Sequence, residues 1–506
     1  MTFTCKPRRK ERATAKTPSR KPIVHRRFVR RLVRALLFAA ASLSWIAATP
    51  AQTPAFTPAP SLTLTELLER ARAGEPTYLA ARAAVDGARA RKDQAFGAML
   101  PQLTASAGTH SNRRDYETRN DFTPRENDAY NNHSAQLSLT QPLWRPANDA
   151  GLEQAKKMVT QAEWQLSAAE QELAARLTEA WFELLAARDA KVFADRQREA
   201  LQQEWRITAR AQELGVGSEP RSAAALARLE QAKADTAVAE MEIEQKRAAL
   251  EQWVGPLPRL SERSLPYLRA QANPANSASP AKPPADLDAW LREVEEGNPS
   301  LLAAREALEA ARAEVKKQRA GHSPTLDIVA SYGRNSQAVG GFPGQAGYDI
   351  TQGSIGLQLN VPLYSGGTQS AKVAEALAQE ERARQEVEAA RRTAVLAAQR
   401  AWFAGQGATA RAAAGAQAMR AARAELARAQ KGRDQGLQTR LEILQAEQQL
   451  RAGARDHRKG RYDRILMEIR LKVAAGALAM SDISGLDALF AAHADPADPE
   501  APAATR

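Results

Sequence analysis

The sequence predicts a mainly α-helical chain with a small β part, and three observations predict it. Residues 354–363 alternate strictly, with Ile355, Leu357, Leu359, Val361 and Leu363 on one face and Gly356, Gln358 and Asn360 on the other, the period-two signature of a strand with one apolar face. The same pattern occurs at 134–140, where Ala135, Leu137 and Leu139 alternate with Gln136, Ser138 and Thr140, and each strand is followed by a very long Ala/Glu/Arg/Gln-rich helical stretch. Finally, the plan is duplicated. Glu75-Pro76-Thr-Tyr-Leu-Ala-Ala-Arg82 matches Asn298-Pro299-Ser-Leu-Leu-Ala-Ala-Arg305 at an offset of 223, as does Pro101 with Pro324. Pro142 matches Pro362 at 220, Ala180-Trp181-Phe182 matches Ala401-Trp402-Phe403 at 221, and Gly217 matches Gly436 at 219. Shared alanine content does not produce a register of prolines, so this is an internal repeat.

Charge excludes one function class. The formal net charge is +13, but residues 1–51 hold thirteen Lys/Arg against the single acid Glu11, which leaves +1 for the remainder. A nucleic-acid surface is therefore not expected. Residues 1–51 read instead as a signal peptide with an extended basic N-terminus: Arg26, Arg27, Arg30, Arg31 and Arg34, an apolar run at 35–48, and small residues at 49–51. Cys5 is the only cysteine, so neither a disulfide nor a thiolate metal site is expected in the rest. No later stretch reaches the 18 or so apolar residues of a spanning helix.

The first repeat, residues 52–253, opens with a spacer and a helix over 62–98 stopped by Pro101. A β-hairpin over 103–144 follows, with a polar loop at 112–133. A helix from 146 to 214 carries the seam Leu152, Ala155, Val159, Ala162, Leu166, Ala169, Leu173 in steps of three and four, as in a coiled coil. Gly215–Pro220 breaks it, and a shorter helix returns to Trp253. Residues 254–285 form a Pro/Ser/Ala-rich linker with local structure near 265–268. Residues 286–486 repeat the plan with a clearer β-hairpin (325–364), and 487–506 read as a disordered tail.

Four strands cannot close a barrel, and lipid does not tolerate an open sheet edge. Closure requires further copies: three give a trimeric 12-stranded β-barrel, within the range of outer-membrane barrels. The two shorter helices of each half together match one long helix in length, so strand barrel and coiled-coil α-helical barrel continue into each other. The changeovers are expected at Pro101, Pro142, Pro324 and Pro362, and the turns between long and shorter helices at Gly217 and Gly436.

With these parts assembled, the chain resembles the TolC family of outer-membrane channel-tunnels from Leu62 to about Leu486. The resemblance rests on Asn298-Pro299-x-Leu-x-Ala-Ala-Arg305, Leu100-Pro101, Leu139-x-Gln-Pro-Leu143, Leu359-x-Val-Pro-Leu-Tyr-Ser-Gly-Gly367 and the two Gly turns. It implies a homotrimer with its barrel in outer-membrane lipid. Its tunnel would cross the periplasm to a periplasmic adaptor (membrane fusion) protein and an inner-membrane transporter, ABC type or proton-driven. The second-half motifs look most like the type I secretion branch. Drug or metal efflux is the alternative, and a periplasmic coiled-coil adaptor or scaffold, which gives no reason for four two-faced strands, is a remote one. The resemblance also places the pore constriction after Gly436: Glu442 falls where the family has its first acidic residue, Gln445 where some members have a second, and Gln438 at a position basic in well-known members. Ala223 is then the counterpart in the first-half turn. No catalytic, cofactor or metal constellation is visible: the histidines are scattered, and Gly215-x-Gly217 follows a helix rather than a strand. Trp181 and Trp402 read as packing residues.

Overall fold

A computed structural model describes residues 63–116, 126–257, 265–268, 286–339 and 346–491. The expected signal peptide, both hairpin loop tips, most of the linker and the last fifteen residues lie outside them. The first half contains α1 (Leu64–Gly74), α2 (Pro76–Gly97), β1 (Gln102–Tyr116), β2 (Glu126–Trp144), α3 (Pro146–Glu213), α4 (Glu219–Val254) and the short β3 (Tyr267–Leu268). The second contains α5 (Leu287–Gly297), α6 (Pro299–Ala320), β4 (Thr325–Val339), β5 (Ala346–Asn360), α7 (Thr368–Asp434), α8 (Arg440–Ala475), α9 (Met480–Asp487) and β6 (Phe490–Ala491). At 68 and 67 residues, α3 and α7 are each about 100 Å long.

The expected single helix over 62–98 is two helices. Pro76 has no N–H to give and pushes the residue before it out of the α region. Glu75 is accordingly extended (φ −76°, ψ 121°), and its carboxylate caps α2 by accepting from the Tyr78 N–H. Asn298-Pro299 does the same at α6: the Asn298 side chain accepts from Leu301 N at 2.9 Å and donates to Ala474 O at 2.8 Å, tying α6 to the end of α8.

Pro142 is not a changeover: it lies inside β2, opposite Asp327, where the register slips before Trp144. A bulge is one of the few places a sheet accepts proline, and Pro146 opens the helix instead. Pro101 and Pro324 lie just before β1 and β4, and Pro362 just after β5. The expected tail is also partly ordered. Asp487 caps α1, accepting from Leu64 N (2.7 Å) and Thr65 N (3.1 Å), and β6 pairs with β3.

The four long strands form one antiparallel sheet in the order β1-β2-β4-β5. Its register sorts residues cleanly between faces. Leu103–Leu139–Ala330–Ile355 and Ala105–Leu137–Tyr332 are rows on one face, and Thr104–Ser138–Ser331–Ser354 and Ser106–Gln136–Gly333–Gln352 are rows on the other. The main hydrophobic cluster lies at mid-length of α3. There Leu173, Leu177, Trp181, Leu184 and Leu185 meet α1, the ends of α4 and α8, α9 and the β3–β6 pair. Trp402, the repeat partner of Trp181, packs partly buried against α5.

Candidate functional site

The sheet has one face that water does not suit. Ile355, Leu357, Leu359, Leu103 and Tyr332 are each more than three-fifths exposed on the same side, far more clustered apolar surface than a soluble chain presents. The opposite face, from the Gln102–Thr140–Val329–Gly356 row to the His110–Asn132–Gln337–Tyr348 row, contains no Asp, Glu, Lys or Arg. Apolar residues facing lipid and polar residues facing a lumen is the pattern of an outer-membrane barrel. At the helix end of the sheet, Arg145 grips Asp327 bidentately (2.7 and 2.6 Å), joining the start of α3 to β4.

A trough continues along the helices. An open groove of about 1090 Å³ lies between α3 and α7, lined by Glu172, Arg176, Glu179, Arg400 and Arg470 among others. It merges at Glu179, Met467 and Arg470 with a second of about 640 Å³, which merges at Asp456, Lys459 and Asp463 with a third of about 670 Å³ containing Arg411. Glu179 and Glu183 stand two positions either side of Trp181, about 200° around the helix from it. The trough borders the hydrophobic cluster, since the second groove also reaches Phe182 and Tyr462.

Glu442 and Gln445 head a stripe of α8 that reaches the grooves further along the helix. Both are exposed, and from them the stripe Gln449, Ala452, Asp456, Lys459, Asp463, Leu466, Arg470 runs in alternating steps of four and three. Its last five members line the grooves. A 3.5-residue period keeps one face aligned along a left-handed supercoil. Ile443 and Ala446 turn the other way, onto Leu426 and Ala429 of α7. Glu442 has a second role. Its carboxylate accepts from Thr439 N (2.9 Å) while the Thr439 hydroxyl accepts from Glu442 N, a capping box that the Thr-x-x-Glu spacing already spelled out. Gln438 lies half-buried against the last turns of α7, its amide nitrogen donating to Ala429 O at 3.0 Å and its oxygen accepting from Arg428 at 3.2 Å.

The structure corrects the register of the tips. The left-handed residue ending α3 is Gly215 (φ 74°), matching Gly436 (φ 72°) at the end of α7. Gly217 serves differently, since a Cβ there would meet Gln212 N at 2.9 Å. The N-caps Ser218 and Thr439 are likewise 221 apart. The counterpart of Glu442 is therefore Arg221, not Ala223.

One buried cluster was not anticipated. Arg188, completely buried, donates to Asp189 Oδ1 (2.7 Å) and to the carbonyls of Leu265 (3.2 Å) and Pro266 (2.7 Å). Tyr462 of α8 donates to Asp189 Oδ2 at 3.0 Å, and Arg458 lies 3.7 Å from the same oxygen. Burial, then the Asp189 charge, pushes the Tyr462 hydroxyl well above its usual value. In a helix so rich in Arg and Glu, nothing in sequence separates this pair from solvated ones. Among the described residues no three His, Cys, Asp or Glu side chains converge as a metal site, and no helix is long and apolar enough to cross a membrane.

A two-faced sheet with open edges, feeding helices that carry a charged trough, defines an outer-membrane channel protein. Comparison with known proteins makes the class specific. The family model described as "Outer membrane efflux protein" matches residues 67–256 and 290–477, and the chain belongs to that family. The chain is 27% identical over 426 residues to the outer membrane protein TolC of Vibrio cholerae, covering 84% of this chain and 93% of that protein. It is 30% identical over 404 residues to the proteases secretion protein PrtF of Dickeya chrysanthemi, covering 78% and 83%. The solved CusC structure superposes with a TM-score of 0.66 at 20% identity, over 82% of this chain and 92% of that one. The protein is thus an outer-membrane efflux channel of the TolC family, its tunnel extending into the periplasm, and a passive conduit rather than an enzyme. Channels of this family form trimers and work with an adaptor and an inner-membrane transporter.

Proposed function

We propose that this channel is the outer-membrane exit of a type I secretion assembly, passing a polypeptide from an ABC-type transporter and its adaptor to the outside. The observation that carries the branch is the 30% identity to a protein named for protease secretion, over four-fifths of both chains. The trough supports a conduit for a charged, extended chain: paired acids and bases such as Glu183–Lys246 (3.0 Å) alternate along it, so no single charge sign dominates the wall. The narrow end is assigned to the tips after Gly436, where Glu442 and Gln445 of three copies would ring one axis. The division into 1–51, two repeats and a linker at 254–285 belongs to the same proposal, with the first segment removed on export.

The second reading, efflux of drugs or metal ions, is favoured by the family's own description. A deletion strain separates them. Loss of a protein from the culture medium, with unchanged tolerance of drugs and metals, supports secretion. Unchanged secretion with lowered tolerance refutes it.

A further inference from the structure

The two tips are built on one plan and carry opposite charges. From the long helices onward the repeat offset is 221: α3 and α7 end at Glu213 and Asp434, and α4 and α8 end at Val254 and Ala475. At the first position of the returning helix, α4 has Glu219 where α8 has Arg440; at the third, α4 has Arg221 where α8 has Glu442. All four side chains are exposed. Helix stability accounts for Glu442, which completes a capping box with Thr439. It does not account for Arg221. Ser218 makes no side-chain cap bond, and a cation in the first turn faces the positive end of the helix dipole. No ion pair of Arg221 among the described residues offsets this. A residue that breaks a local rule without a compensating contact points to a role outside local stability.

Orientation follows the same plan. Ser222 and Ala225 are buried on α4 where Ile443 and Ala446 are buried on α8, so Arg221 stands on α4 as Glu442 stands on α8. Alternating steps of three and four along α4 also lead from Arg221 to Glu242, the counterpart of Asp463, and both of these line the second groove.

We infer that Arg221 lines the constriction together with Glu442 and sets its charge selectivity, making the tip a ring of alternating sign rather than an acidic one. Three copies place three guanidinium groups and three carboxylates around one axis, and opposite charges at matched positions cancel along it. The next position, Gln445 with its counterpart Ala224, adds no charge. A small ion on the axis therefore meets no net charge. An extended polypeptide finds a partner at the wall for residues of either sign, so neither its acidic nor its basic stretches are excluded.

This inference rests on the assignment of the narrow end to the tips, and the test separates the two. Reversal potentials of the full-length protein in planar bilayers, under a KCl gradient, give the cation-to-anion permeability ratio. Wild type, Arg221→Lys and the double variant Arg221→Gln with Glu442→Gln should lie within about twofold of unity. Removing one sign leaves three like charges, which at about one screening length from the axis shift the ratio roughly threefold or more. The shift is toward cations in Arg221→Gln and toward anions in Glu442→Gln. If Glu442→Gln shifts the ratio and Arg221→Gln does not, Arg221 lies off the pore: the inference is overturned and the tip reading stands. If neither variant moves it, the constriction lies elsewhere and both fall.

Discussion

Asp189 is the residue whose loss should cost most outside the sheet. Its carboxylate lies between two arginines, Arg188 at 2.7 Å and Arg458 at 3.7 Å, and also accepts from Tyr462 at 3.0 Å. Asp189→Asn preserves shape and removes the charge, taking from the buried Arg188 the carboxylate that accepts its 2.7 Å bond. Breaking a buried pair in this way costs about 3–5 kcal/mol. Arg188→Met should cost a similar amount, because it strands Asp189 and also the carbonyls of Leu265 and Pro266, which now accept at 3.2 and 2.7 Å. Removing both charges together, as Arg188→Met with Asp189→Leu, leaves no unpaired anion. It should cost several kcal/mol less than the sum of the single changes, since residues in one ionic network are not additive. The assay is urea unfolding of the detergent-solubilised protein at fixed protein concentration, because an oligomer's apparent stability depends on concentration. Single-variant losses below about 1 kcal/mol, or strictly additive losses, would show that the backbone carbonyls alone compensate Arg188, and the reasoning fails.

Glu442→Gln should lower cation preference and weaken block by trivalent cations in single-channel recordings while leaving assembly intact, because Gln at the third helical position can still complete the capping box. Unchanged selectivity and block would remove Glu442 from the pore. Gly436→Ala, at φ 72°, should destabilise by about 1 kcal/mol, read as a lower unfolding midpoint; no shift would contradict the left-handed turn. Tyr462 ionises at about 10.0 when unfolded and higher when folded. Its contribution is thus fully present below pH 10 and is lost as pH rises toward the folded value. Tyr462→Phe should flatten the alkaline fall in the unfolding midpoint, and an equally steep fall in the variant would contradict this. Ile355→Lys on the apolar face should cost about 2–4 kcal/mol of membrane stability, whereas Ser354→Lys on the other face should not; equal yields of folded protein would reverse the assignment of faces.

Much of the fold was legible because period-two strands and a register of prolines are strong local signals. The break at Glu75 was missed although Pro76 was in view, because the helical periodicity runs straight through it and a proline at the first helical position looks like one inside. The tip register was misread because the first turn offers two glycines. Only the backbone tells Gly215, needed for its positive φ, from Gly217, needed for its missing Cβ. The Arg188–Asp189 lock was not legible, since what buries it comes from residues 265–268 and from α8. At the candidate constriction, the family resemblance singled out Glu442, and the stripe through Asp456 and Arg470 leads from it to the trough.

The hydroxyl and amide rows of the sheet carry one more implication. Across three copies the Thr104–Ser138–Ser331–Ser354 row forms a girdle of twelve hydroxyls. Such a sleeve wets readily yet holds no fixed ionic charge, so a passing solute meets hydrogen-bonding partners it can exchange for water at little cost. Nothing in it can trap an ion or sort cargo by sign. Discrimination by charge falls to the helical stretch and its tip, and to the Arg114–Asp128 row at the far end of the sheet.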